Sequence, residues 1–152
     1  MKKLAVVMVA MMIVGMAATA MAADTNTLTV SATVQGACKF VSTTSTLAFG
    51  ALDPSVGTNV NGTGTTQFWC TKGVTESITA DNGLNFAASR QMKDPVSTDV
   101  IPYSLTLTPD GNPNSGPTSP RTLTIAGTVL GTDYITKTAG SYSDTVMLTI
   151  TP

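Results

Sequence analysis

Cys38 and Cys70 are the residues of this chain best suited to chemistry. An even pair of thiols suits a covalent bridge, a metal site or a redox couple. Two thiolates do not make a zinc site by themselves, the chain has no histidine to add, and no C-x-x-C occurs. A disulfide between Cys38 and Cys70 is therefore expected. It closes a loop of about 33 residues and stabilises the fold by roughly 3–4 kcal/mol on chain-entropy grounds. The lack of histidine also removes every Ser-His-Asp and Cys-His arrangement. Asp94 lies near Asp99, and Lys93 near Ser97, but all four fall in a stretch that reads as a loop with solvated side chains. Asp81-Asn82-Gly83 begins like a calcium loop without the other ligands and reads as a turn. Gly62-Thr63-Gly64 has no strand-to-helix context for a phosphate, and Asn61-Gly62-Thr63 is a glycosylation acceptor only in a host that glycosylates it. No catalytic residue, metal or cofactor is expected, and the chain does not read as an enzyme.

The charge pattern excludes another class of partner. Charged residues make up 11% of the chain, against about 25% in ordinary soluble proteins. Without Lys2 and Lys3, six basic and nine acidic residues remain, a net charge of −3. No basic patch is available for nucleic acid or anionic lipid. Threonine is the commonest residue, at 28 positions. It is β-branched and suits an exposed strand face. A neutral threonine surface fits close packing against copies of the same chain.

These residues need elements to hold them, and the first element is removable. Met1-Lys2-Lys3, the apolar run Leu4–Ala18 and the small residues of Ala20-Met21-Ala22 form the three parts of a secretory signal, with cleavage expected after Ala22. The competing reading is a membrane anchor, which asks for about 20 apolar residues, more than this run supplies. The processed chain, about 130 residues, is then one domain outside the cytoplasm. Behind the signal, Thr27–Val34 alternates without a break, with Leu28, Val30, Ala32 and Val34 on one face. The chain closes on a similar strand, Thr145–Thr151. A loose leading strand and a terminal one suggest strand exchange between molecules. An apolar groove lacking one strand must be filled, and an extended segment of a partner fills it by strand addition. Leu28, Val30, Ala32 and Val34 are the side chains that would enter, contributing on the order of 5–8 kcal/mol. The other reading makes Leu28–Val34 the domain's own first strand.

Between these ends no helix is expected. Short segments rich in β-branched residues are separated by Gly, Pro, Asn and Asp. Strands are expected at Cys38–Val41, Thr46–Leu52 with Leu47 and Phe49 on one face, Thr65–Thr71, and Thr75–Ala80. Leu84–Ala88 and Arg90–Lys93 suggest a hairpin. Ile101, Tyr103, Leu105 and Leu107 alternate, and Leu123, Ile125 and Val129 mark a strand with Gly127 as a bulge. The last segment begins at Tyr142, with Val146, Leu148 and Ile150 facing one way. Gly57–Gly64 and Asp110–Pro120 read as loops. Trp69, between Phe68 and Cys70, is expected on the face opposite the cysteine, packed under a loop, with a subunit contact or a sugar platform as the other readings. Met147 points away from Val146 and Leu148. Seven or eight short strands make an all-β sandwich the natural class.

Several stretches together carry a family resemblance: Gly36-Ala37-Cys38-Lys39-Phe40, Leu47-Ala48-Phe49-Gly50, Phe68-Trp69-Cys70, Ile101-Pro102-Tyr103-Ser104-Leu105 and Gly140-Ser141-Tyr142-Ser143-Asp144-Thr145-Val146. In this order they resemble the spore coat protein U domain family, which includes the subunits of archaic chaperone–usher pili. The resemblance implies an incomplete immunoglobulin-like sandwich lacking its last strand, completed by donor-strand exchange. It implies a periplasmic chaperone that lends a strand, an outer-membrane usher, and copies of the chain or related subunits as partners. Carried onto this sequence, Leu28, Val30, Ala32 and Val34 are the donor strand. Val146, Leu148 and Ile150 line the acceptor groove, and Cys38 and Cys70 match the family's disulfide. The Pro- and Gly-rich stretch Asp110–Pro120 departs from the expected pattern.

The expected organisation is a signal peptide at 1–22, a donor segment at 23–36 and a β-sandwich at 37–152. The expected function is a structural subunit of a surface fimbria serving adhesion and biofilm formation, exported through the periplasm to the cell surface. A spore or surface coat protein of the same fold is the first rival, and a monomeric secreted binding module the second.

Overall fold

A computed structural model describes residues 21–152, so the export signal expected at 1–22 lies outside the described residues except for Met21 and Ala22. The chain divides after Thr33. In the leading part, Met21–Thr33, no residue belongs to a strand, and Leu28 and Val30 are 82% and 83% exposed.

The body begins at Val34. Its strands are β1 (Cys38–Phe40), β2 (Val60–Cys70), β3 (Ser77–Ala80), β4 (Gln91–Lys93), β5 (Val100–Pro102), β6 (Ser104–Pro109), β7 (Arg121–Val129) and β8 (Leu148–Thr151). One helical turn, α1 (Gly131–Tyr134), follows β7. The first layer is a sheet in the order β1-β2-β7-β6. The second is formed by the pairs β3-β8 and β4-β5, bridged where Lys93 meets Ser143. Every ladder is antiparallel. The chain crosses from one layer to the other at Tyr103, the single residue between β5 and β6. The result is the all-β, immunoglobulin-like sandwich that the strand spacing and the resemblance predict.

Period-2 alternation decides which side chains meet between the layers. In β7, Leu123, Ile125 and Val129 point inward while Thr124 points to solvent. Phe68, Cys70, Leu123 and Ile125 form one buried cluster, covered from the other layer by Ile78, Leu148 and Ile150. Ile101, Val129 and Tyr134 form a second, with Phe49, Met92, Tyr103 and Tyr142 packed on it. On the outer face Thr65, Thr124 and Thr108 fall in register across three strands, so threonine covers the solvent side as expected. Trp69 is half-buried on that outer face, opposite Lys39, and Met147 is exposed.

Cys38 and Cys70 face each other in the β1–β2 register and are joined by a disulfide, with Cα atoms 4.1 Å apart. Three residues of ladder are a weak hold, so the crosslink secures β1. Replacing both cysteines by serine is expected to lower the unfolding free energy by roughly 3–4 kcal/mol. A urea titration of the two forms measures this as a lower midpoint.

Five expectations are corrected by the fold. Gly62 and Gly64 lie inside β2, not in a loop. Glycine is normally depleted from strands, but here the Thr46–Phe49 segment passes directly over them. A Cβ on Gly62 would stand 2.7 Å from the Ala48 carbonyl oxygen, and one on Gly64 would overlap that of Thr46. Gly127 is no bulge, because the register runs unbroken through Gly62, Gly127 and Leu105. Leu84–Ala88 forms no strand, and β4 pairs with β5 instead. Thr46–Leu52 alternates in burial at Leu47 and Phe49 but belongs to no ladder. The turn α1 is a helix where none was expected.

The Pro- and Gly-rich stretch Asp110–Pro120 is pinned by a polar network. Arg121 is buried, its guanidinium bonded to Glu76 and, at 2.9 Å, to Asp110, and its plane lies 5.1 Å from the Phe68 ring centroid. Asn114, also buried, donates to the Val74 carbonyl at 2.7 Å and to Glu76. The Thr122 amide and Arg121 together hold the Asp110 carboxyl down at about 2.

Candidate functional site

Two side-by-side hollows form an open apolar groove. The larger, about 650 Å³, is lined by Phe49, Leu52, Met92, Ile101, Tyr134 and Tyr142 among others. The smaller, about 240 Å³, is lined by Leu47, Tyr103, Leu105, Ile125, Val146 and Leu148 among others. Leu47, Phe49, Met92 and Tyr142 border both, so the hollows are continuous. The floor is the second core cluster and the Ile125 edge of the first.

Two strand-like walls flank this floor. One is Ser45–Leu52, seated over the glycines of β2. The other is Tyr142–Leu148, running into β8. On the second wall Tyr142, Asp144, Val146, Leu148 and Ile150 are half-buried, while the residues between them are exposed. Ser143 exchanges backbone hydrogen bonds with Lys93 at 2.9 and 3.1 Å, Thr145 accepts from Leu84 at 3.1 Å, and Met147 accepts from Asp81 at 3.0 Å. These bonds run sideways to β4 and to the segment after β3, within the same layer. The backbone groups of the alternate residues therefore point the other way, toward the groove. Among the described residues, no hydrogen bond engages the backbone of Tyr142, Asp144 or Val146, nor that of Ser45–Leu52. Apolar floor and two unpaired edges together are what an added β-strand requires.

Of the residues assigned to an acceptor groove, Val146 and Leu148 line it. Ile150 continues the same face but lies beyond the groove's lining, paired with Ile78 and packed on the Phe68 cluster. Sequence reasoning did not assign Met92, Ile101, Tyr103, Leu105 or Tyr142 to the groove. Leu28, Val30, Ala32 and Val34 are all exposed.

Asp94 and Asp99 lie close together, the Asp94 amide donating to the Asp99 carbonyl at 3.3 Å, and each carboxylate is committed to its own hydrogen bonds. Asp94 accepts from the Ser97 amide at 2.7 Å. Asp99 is bonded by the Thr138 amide and hydroxyl at 2.8 and 2.6 Å. These bonds, Ser97 on Asp94 and Thr138 on Asp99, lower both carboxyls. Asp99 thus ties its loop to Thr138, 39 residues on, and Asp94 closes a local turn. Asp81 does the same for the Gly83 amide at 2.9 Å. Among the described residues no cluster of three or more potential metal ligands occurs.

The fold has a counterpart among solved structures. A chain of the crystal structure of the CsuC–CsuE chaperone–tip adhesion subunit pre-assembly complex, from archaic chaperone–usher Csu pili of Acinetobacter baumannii, superposes with a TM-score of 0.50 at 15% identity, over 78% of this chain and 40% of that one. This chain spans less than half the length of the one it matches, and at that identity the likeness is one of fold. No curated protein matches the sequence. The Spore Coat Protein U domain profile matches residues 24–149, nearly the whole described length, and the chain belongs to that family.

Proposed function

We propose that the chain is a structural subunit of a surface pilus, assembled by the chaperone–usher route through donor-strand exchange and serving adhesion and biofilm formation. The observation that carries this reading is the groove: an apolar floor between two walls whose backbone edges are unpaired. The occupant is the leading segment of another copy, with Leu28, Val30, Ala32 and Val34 inserted and Val146, Leu148 and, at the end, Ile150 receiving them. Support comes from the exposure of Leu28 and Val30, which leaves those apolar side chains without a core of their own, and from the alternation they share with a strand. In this reading 1–22 is a cleaved signal, 23–36 the donor and 37–152 the receiving body. A periplasmic chaperone covers the groove before assembly, and an outer-membrane usher exchanges it for the next subunit. The family's name favours a rival: a coat built from the same subunits by the same pairing.

A synthetic peptide of residues 23–36 tests the groove directly. Added to the full chain carrying Val30→Asp, whose own segment cannot compete, it is expected to bind and raise the melting temperature. Burial of three large aliphatic side chains, on the order of 5 kcal/mol, corresponds to a shift well above 10 °C for a domain of this size. A peptide that leaves the melt unchanged would overturn the strand-uptake reading. Fibres rather than sheets in electron micrographs of producing cells distinguish pilus from coat.

A further inference from the structure

The wall Tyr142–Leu148 carries an oddity. Its inward positions are Tyr142, Asp144, Val146 and Leu148, and one of the four is an acid. Among the described residues, Asp144 is the only charged side chain lining the smaller hollow. Placing a carboxylate on a half-buried apolar face is costly unless it is well bonded, and a valine would continue the pattern at no such cost.

Both of its oxygens are engaged. Oδ2 accepts the Tyr103 hydroxyl at 2.7 Å. Oδ1 accepts the Asn85 backbone amide and the Asn85 side-chain Nδ2, each at 3.1 Å. Asn85 Nδ2 also reaches the Ser143 carbonyl at 3.1 Å. Tyr103 stands where the chain crosses between layers and packs its ring against Phe49 of the opposite wall, centroids 6.0 Å apart. Asn85 lies in the turn behind the wall. That turn is shaped to admit the acid: Gly83 has φ of 83°, and a Cβ there would overlap the Asp144 carboxylate. The wall is bonded along its far edge at Ser143, Thr145 and Met147, and Asp144 adds a tie on its groove side, to Tyr103 of the floor and to the Asn85 turn.

An empty groove bordered by two unpaired edges has an obvious wrong outcome. The walls can close on each other, satisfy their backbone groups and leave no room for a strand. We propose that Asp144, with Tyr103 and Asn85, is a positioning residue that holds the vacant groove open and keeps it receptive. The inference rests on the strand-uptake reading, and its role is specific to the empty state. Once a strand is inserted, the ladder itself fixes the wall.

The test is the rate at which a dye-labelled peptide of residues 23–36 is captured by the full chain carrying Val30→Asp, followed by fluorescence anisotropy. Tyr103→Phe and Asp144→Ala are expected to slow capture at least tenfold. Asp144→Asn keeps an acceptor for Asn85 and is expected to lose less. The peptide-filled forms are expected to melt within a few degrees of the filled parent. Equal capture rates in parent and variants would overturn the inference and leave strand uptake standing. Failure of the parent itself to capture the peptide would overturn strand uptake as well. A filled Tyr103→Phe form destabilised as much as the empty one would show an ordinary packing role and overturn the inference too.

Discussion

Val30→Asp is expected to abolish polymerisation while the body stays folded. Val30 is 83% exposed and lies before the body begins, so a carboxylate there stays in water in the unassembled chain. In the groove of a neighbour the same carboxylate would meet Leu105, Ile125 and the aromatic floor without a partner. Burying an unpaired charge costs several kcal/mol, and each 1.4 kcal/mol is a factor of about ten in affinity. Assembly should therefore fall by about a thousandfold or more. Wild-type material should run in unheated detergent gels as a ladder that heat collapses, and the variant as a single band. Circular dichroism of the variant should keep the β-sheet signal. A variant that unfolds would instead make Leu28–Val34 an intrinsic strand of the sandwich.

The second large effect is expected at Arg121. Its guanidinium joins Glu76 on the approach to β3, Asp110 after β6 and Asn114 in the loop between β6 and β7. Arg121→Ala strips two carboxylates of their cation and uncovers one face of Phe68. Breaking such a pair costs about 3–5 kcal/mol when it is fully buried. The low end applies here, because part of Asp110 reaches solvent. A urea midpoint would read the loss. The network also sets the acid limit. Asp110 is depressed to about 2 in the fold and returns to about 3.9 on unfolding. A group whose folded value is depressed stabilises the fold at high pH, so its contribution is whole above about pH 5 and fades as pH falls toward 2. Arg121→Ala should lower stability at neutral pH and reduce that acid dependence in part, because the Thr122 amide still holds the Asp110 carboxylate.

How much of this was legible in the chain follows from what local patterns encode. Alternation at Leu47 and Phe49, and at Val146, Leu148 and Ile150, marked both walls before any topology was known. Alternation does not say whether a strand has a neighbour. The gap between the walls depends on which segments lie side by side, and so does the presence there of Met92, from β4, and of Tyr103, from the crossing between layers. Gly62 and Gly64 looked like loop because glycine weakens a strand in isolation. Their role appears only when the segment passing over them is in place. A four-residue helix such as α1 is too short to leave a period. Asp144 broke a pattern that its neighbours kept, and that break was visible in the sequence. Its partners Tyr103 and Asn85, 41 and 59 residues away, were not.

The covalent link between Cys38 and Cys70 has a mechanical consequence. Any pull on the leading end arrives first at β1, whose three rungs would unzip one at a time under load. The sulfur bridge carries that force straight into the eleven residues of β2, where many rungs share it in shear. A thread made of such units draws its toughness from each bead's anchorage, and reducing agents should weaken it under tension long before they dissolve it at rest.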